Sequence, residues 1–146
     1  MEFIKPKGTI KIFEGKKEKL LNVFHNDFMD AGRKKILNYL TGFNEQITYD
    51  FLAISDTDGA ITVLDKKIEN EVFRKEVTSV STFDNKLIID IFIDSFEANF
   101  TWKQVGLFVG GSVGTKDSGI LFNKALIEQE KNSGKSLTIS WEIEIV

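Results

Sequence analysis

Residues 137–145 alternate without a break. Leu137, Ile139, Trp141, Ile143 and Ile145 are apolar, and Thr138, Ser140, Glu142 and Glu144 between them are polar. A period of two puts all the apolar side chains on one face of a strand and leaves the other face wet, as in an antiparallel sheet. A second run has the same phase: Leu87, Ile89, Ile91 and Ile93 make an apolar face, and Ile88, Asp90, Phe92 and Asp94 a mixed one. Such strands cannot stand alone, so the rest of the chain has to supply partners.

The remaining pattern is mostly strand. Residues 8–14 and 19–24 read as an N-terminal hairpin across Gly15-Lys16-Lys17. One helix is expected at about 28–41. Asn26 or Asp27 would cap it, Met29, Ile36, Leu37 and Leu40 would form its apolar face, and Gly42 would end it. Strands follow at Ile47–Ser55, Val72–Thr82 and Asn99–Val109, with 60–71 irregular apart from a short helical turn. Glycine-rich Gly110–Gly119 reads as a mobile surface loop. Gly119–Gln129 and Leu137–Val146 are expected to pair across the turn at Asn132–Lys135. The reading is one domain over residues 1–146: mainly β, an antiparallel β-sandwich with one short α-helix near the N-terminus that covers an end or edge.

The 146 residues can bury a core without cross-links, and 42% apolar with 28% charged residues is globular composition. The bias is in the aromatics: 13 Phe against 2 Tyr and 2 Trp, which suits half-buried sheet faces. Without cysteine, disulfides, thiolate metal sites and cysteine nucleophiles are excluded. No apolar run reaches membrane-spanning length, and nothing resembles a secretion leader, so no membrane partner is expected. Six lysines fall within the first 19 residues, read as a solvated edge. The phenylalanines are not interleaved with Lys and Arg as a single-strand groove requires, so nucleic acid is not an expected partner.

Each motif for chemistry fails on a particular residue. Asn132-Ser133-Gly134-Lys135-Ser136 ends like a phosphate-binding loop, but Gln129 stands where its first glycine belongs. Asp56-Thr57-Asp58-Gly59 has the opening of a calcium loop, but Lys67 replaces the closing glutamate. His25 is the sole histidine, which rules out multi-histidine metal sites. Asp90 and Asp94 lie on one strand face, not on facing walls of a cleft. Asn99-Phe100-Thr101 matches a glycosylation acceptor that has no secretory context. No catalytic, cofactor or metal residue is assigned.

Six segments in order carry a resemblance. They are Asn26 with Ala31-Gly32-Arg33 and Leu40; Ile47-Thr48-Tyr49-Asp50-Phe51-Leu52-Ala53-Ile54; Asp65 with Asn70-Glu71-Val72 and Arg74; Glu97-Ala98-Asn99 leading to Val105-Gly106-Leu107-Phe108; Gly119–Ala125; and Ser136–Trp141. The series resembles a family of small phage virion structural proteins of the tail-fibre, baseplate or collar type. The family's usual Gly-Thr-Gly loop is replaced here by Ser55–Gly59. The resemblance implies a virion protein made in the host cytoplasm, with other virion proteins and copies of itself as partners, no cofactor and no enzymatic activity.

Within that class, capsid decoration is an alternative location. From another class, a carbohydrate-binding module would need exposed Trp or Tyr, with Trp102 the main candidate because Trp141 is patterned inward. The expected oligomer interface comprises Ile88, Phe92 and Trp102. Ile88 and Phe92 stay apolar on the face opposite the core, unless the helix covers them.

Overall fold

The computed structural model describes residues 6–40 and 50–145. The elements run β1 (Pro6–Glu14), β2 (Lys19–Phe28), α1 (Asp30–Leu40), β3 (Phe51–Ser55), β4 (Glu71–Glu76), β5 (Ser79–Phe83), β6 (Lys86–Ile93), β7 (Thr101–Val109), β8 (Ile120–Glu130) and β9 (Leu137–Ile145). All the strands belong to one sheet in the order β4-β3-β7-β8-β2-β1-β9-β6-β5, and every pairing is antiparallel. The chain is therefore mainly β and antiparallel, with one short helix near the N-terminus, as expected. Its strands form a single hydrogen-bonded series, not two separate sheets. Residues from both ends of the series share one core, so the sheet curls on itself as a half-barrel.

The inner face carries that core, and the two best-patterned strands meet in it. Trp141 of β9 lies in register between Ile10 of β1 and Ile89 of β6, and all three are fully buried. Ile139 is likewise flanked by Ile12 and Ile91. Their polar alternates face outward, where Lys11 pairs with Glu142 at 3.1 Å.

Two pairings differ from the expected ones. β8 and β9 do not form a hairpin, because β2 and β1 stand between them. β1 runs the full length of β9, from Pro6 opposite Ile145 to Glu14 opposite Leu137. β2 reaches β8 only at Asp27–Lys124 and Phe28–Asn123. The apolar face of β9 is matched on both sides by β1 and β6, which leaves no edge for β8. The expected strand Val72–Thr82 is also two strands, β4 and β5, at opposite edges of the sheet. The chain changes partner within two residues: Val77 N–H donates to Asp50 O and Thr78 N–H to Asp90 O.

The helix starts later than expected. Asn26 and Asp27 belong to β2, and the Asn26 amide packs so closely on Gly8 that a Cβ there would overlap it. Asn26 is buried and its side chain makes no hydrogen bond among the described residues, so it caps nothing. Instead Met29 O accepts the first helical bond from Arg33 N–H, while Met29 and Asp30 donate their own N–H groups to Phe122 O and Val63 O. Gly32 rests directly on the Phe122 carbonyl, where any Cβ would collide. Met29 and Ile36 pack against apolar clusters of the sheet, but Leu37 and Leu40 are exposed. The expected cap Gly42 and the start of the strand at Ile47 lie outside the described residues.

A smaller apolar cluster sits on the outer side of the sheet. Met29, Phe51, Ala53, Ile68, Phe108 and Leu121 form it, with Ile61 packed against it. The segment 59–69, which has turns but no helix among its residues, thus covers strands β3, β7 and β8. That is why all five residues of β3 are buried. Gly106 makes room for the cover: a Cβ would come within 2.8 Å of Ile68 Cγ2 and 2.9 Å of Leu121 Cδ1.

Candidate functional site

Most of the polar residues singled out from sequence hold loops to the sheet. Asp56 Oδ1 accepts from Asn70 Nδ2 and from Thr57 Oγ1, both at 3.1 Å. Gln104, fully buried in β7, accepts from Glu69 N–H and donates to Thr57 O at 2.6 Å. Ser55 Oγ donates to Glu69 O. The acidic loop at 56–59 is thereby stitched to the segment before β4. Among the described residues, no group of three or more His, Asp or Glu side chains converges as a metal site would require.

The glycine-rich loop at 110–119 is braced at both ends. Arg74 and Glu71, both buried, form a two-bond pair: Nε to Oε2 at 3.0 Å and Nη2 to Oε1 at 2.7 Å. Arg74 Nη1 donates to the backbone oxygen and the hydroxyl of Ser118, and Asp117 N–H donates to Glu71. The guanidinium lies 4.4 Å from the centre of the Phe108 ring. At the loop's other end Gly110 N–H donates to Asp50 Oδ2 at 2.7 Å.

Two lysines are buried in similar service. Lys124, with a side chain 1% exposed, bonds Asp65 Oδ2 at 3.1 Å and Ala60 O at 3.3 Å. Burial pushes the Asp65 carboxyl up, but hydrogen bonds from Thr62 and Lys124 and the lysine's charge outweigh it, so its pKa lies below the ordinary value. Lys131 donates to Asn99 Oδ1 at 2.6 Å. Burial holds its pKa below that of a free lysine, with Asp94 and Glu97 opposing. Asn99, read as a glycosylation acceptor, uses the other end of its amide on Ser95 O.

Near the turn at 132–135 a cavity of about 300 Å³ opens between the start of β2 and the end of β8, lined by Glu14, Lys19, Leu21, Lys131, Lys135 and Leu137 among others. Lys135 there is exposed and 4.0 Å from Glu14. The segment is a crossing between distant strands, not the hairpin turn read from sequence.

The three expected interface residues separate. Trp102 is fully buried and its indole donates to Ala98 O at 2.9 Å, so it is core and no surface group. Ile88 and Phe92 do lie on the outer face of β6, half-buried. The helix does not cover them, since it packs on β8. Lysines lie over Phe92 instead: Lys16 Nζ is 5.5 Å and Lys75 Nζ 6.0 Å from its ring centre. Asp90 beside it pairs with Lys17 at 2.8 Å.

Two phenylalanines elsewhere are more exposed. Phe96 is 90% exposed on the loop between β6 and β7, and Phe83 is 67% exposed at the end of β5. The Phe96 loop is tightly bound. Phe96 N–H donates to Asp94 Oδ1, Glu97 Oε1 accepts from Asp94 N–H and Lys75, and Asn99 links back to Ser95. Sequence offered a signal for this residue, a lone Phe amid the polar turn residues Asp94, Ser95 and Glu97. The chain matches no family model, no curated protein and no solved structure.

Proposed function

We propose that this chain is a non-enzymatic structural subunit of a phage or phage-derived particle, in the tail, baseplate, neck, collar or fibre. It assembles through contacts with copies of itself and with other virion proteins, and its location is the virion. We read the two halves of the curled sheet, joined through β2 and β8 and sharing one core, as the layers of a sandwich. The ordered six-part resemblance supports this reading. The observation that carries it is Phe96, a fully presented aromatic ring on a loop fixed by at least four hydrogen bonds. A rigid apolar knob of this kind is what a protein interface buries at its centre. Ile88 and Phe92 on the outer face offer a second, flatter contact with charged neighbours as its rim.

The carbohydrate-module alternative loses its main candidate, because Trp102 is core. Capsid decoration stays within the proposed class. Light scattering with electron microscopy of assemblies tests the reading. Phe96→Ser and Phe92→Asp should stay folded and lose assembly with copies or with neighbouring virion proteins. A wild-type chain that remains monomeric at all concentrations and binds no virion protein defeats it.

A further inference from the structure

We propose that Lys131 and Asn99 join through an isopeptide bond formed within the chain, a covalent cross-link between the end of β8 and the start of β7. This goes beyond the reading above and does not rest on it, since the reaction occurs once in each molecule and needs no partner.

The two residues are 32 positions apart in sequence. The β7–β8 ladder, which runs to Thr101 opposite Glu130, brings them together. One residue further on, Lys131 N–H donates to Phe100 O at 3.3 Å. Lys131 is only 2% exposed, and its Nζ reaches Asn99 Oδ1 at 2.6 Å. With a carbonyl bond of about 1.2 Å, that contact sets Nζ about 3–4 Å from the amide carbon Cγ, close to the separation of about 3–3.5 Å at which positioned groups react. A small turn about the Cβ–Cγ bond exchanges the hydrogen bond for attack on that carbon. The other end of the amide is tied to Ser95 O, so the acceptor is held in place.

An amine attacks only when uncharged. Among the described residues Lys131 forms no ion pair, and burial holds its pKa below that of a free lysine. The carboxylates whose charge acts on it are Asp94 and Glu97, in the same loop as Asn99. They take the proton that Nζ sheds and return it to the leaving nitrogen. The Nζ–Cγ bond forms, the Cγ–Nδ2 bond breaks and the proton passes to Nδ2, so ammonia leaves and nothing is oxidised or reduced. Asn99 is exposed, which gives the ammonia an exit. The other buried lysine lacks this chemistry. Lys124 meets Asp65, whose lowered pKa keeps it ionised, and a carboxylate anion resists attack by an amine. The Lys131–Asn99 bond would fasten β7 to β8 beside the loop that presents Phe96, in a chain with no cysteine to do so.

Mass spectrometry tests it. The purified wild type, held overnight at neutral pH, should have an intact mass lower by one ammonia than its sequence requires, and Lys131→Arg should show no such loss. Trypsin should release one fragment joining residues 87–103 to residues 125–135, because a lysine whose amine is bound is not cleaved. A succinimide at Asn99 also loses ammonia, but it would persist in Lys131→Arg and give no joined fragment. A wild type of full mass, a loss that remains in Lys131→Arg, or fragments that stay separate overturns the inference. The mass and the fragments of the wild type decide it even if Lys131→Arg does not fold. Light scattering of the same sample reads assembly separately, so either idea can fail without the other.

Discussion

Arg74→Met tests whether the buried pair at the start of β4 does what its geometry implies. In the native chain the guanidinium makes two bonds to Glu71 and two to Ser118, and stacks on Phe108. Methionine keeps much of the packing volume and removes every bond. Glu71, 6% exposed, is left as a buried carboxylate with only the Asp117 N–H beside it. Removing one partner of a buried pair costs about 3–5 kcal/mol, mostly from the stranded charge. For a domain of this size that is a fall in Tm of about 10 °C. The double change Glu71→Leu with Arg74→Met removes the stranded charge as well, and should recover to within about 2 kcal/mol of wild type. Urea unfolding of wild type, Glu71→Leu, Arg74→Met and the double variant gives the coupling energy directly. Hydrogen exchange should show the amides of residues 110–119 opening in both variants, because the brace on Ser118 is gone. An Arg74→Met cost below about 1 kcal/mol, or a double variant no better than the single, would refute the reasoning.

Other expectations follow from single contacts. Trp141→Ala should cost about 3–5 kcal/mol in urea unfolding, since the ring is fully buried between Ile10 and Ile89; a small loss would mean the core collapses into the space. Gly32→Ala should destabilise despite alanine's better helix propensity of about 1 kcal/mol, because its Cβ meets the Phe122 carbonyl; a more stable variant would show that the helix shifts freely. The lowered pKa of Asp65 means that its ionised form favours folding. That contribution is present above the ordinary 3.8 and is lost as pH falls through the native pKa. Asp65→Asn should therefore reduce stability at neutral pH and converge with wild type in acid; parallel pH curves would contradict it.

The strands that were legible in sequence are those whose period was unbroken, residues 87–93 and 137–145. Both were placed with the right face inward because burial on one side alone produces that alternation. Partner choice was not legible. Residues 120–145 look locally like two strands and a turn, but β9 takes β1, more than a hundred residues away in sequence, because Ile10 and Ile12 match Trp141 and Ile139. The split at Val77–Thr78 leaves no mark in β propensity, since both halves favour strands; only the abrupt end of charge after Glu76 coincides with it. Trp102 was misplaced for a further reason. A register shift between Trp102 and Gln104 resets the alternation of β7, so a tryptophan flanked by Thr101 and Lys103 shares the core with Val105 and Leu107. Asn26 and Asp27 were misread because residues that favour helix caps also end strands.

The residues that carry the sequence resemblance and those that could meet a partner are largely different sets. Gly32 seats the helix, Asn70 closes the acidic loop, Glu71 and Arg74 brace residues 117–118, Asn99 holds Lys131 and Gly106 admits Ile68. Each binds a loop or helix to the curled sheet, so a change at any of them acts first on folding. Phe83, Phe96, Ile88 and the neutral strand at 79–83 are exposed or half-exposed and hold little in place. Substitutions there leave the loop braces intact and change the surface that a neighbour would touch. Assembly is therefore tested at these positions, where loss of association with the fold preserved is attributable to the contact itself.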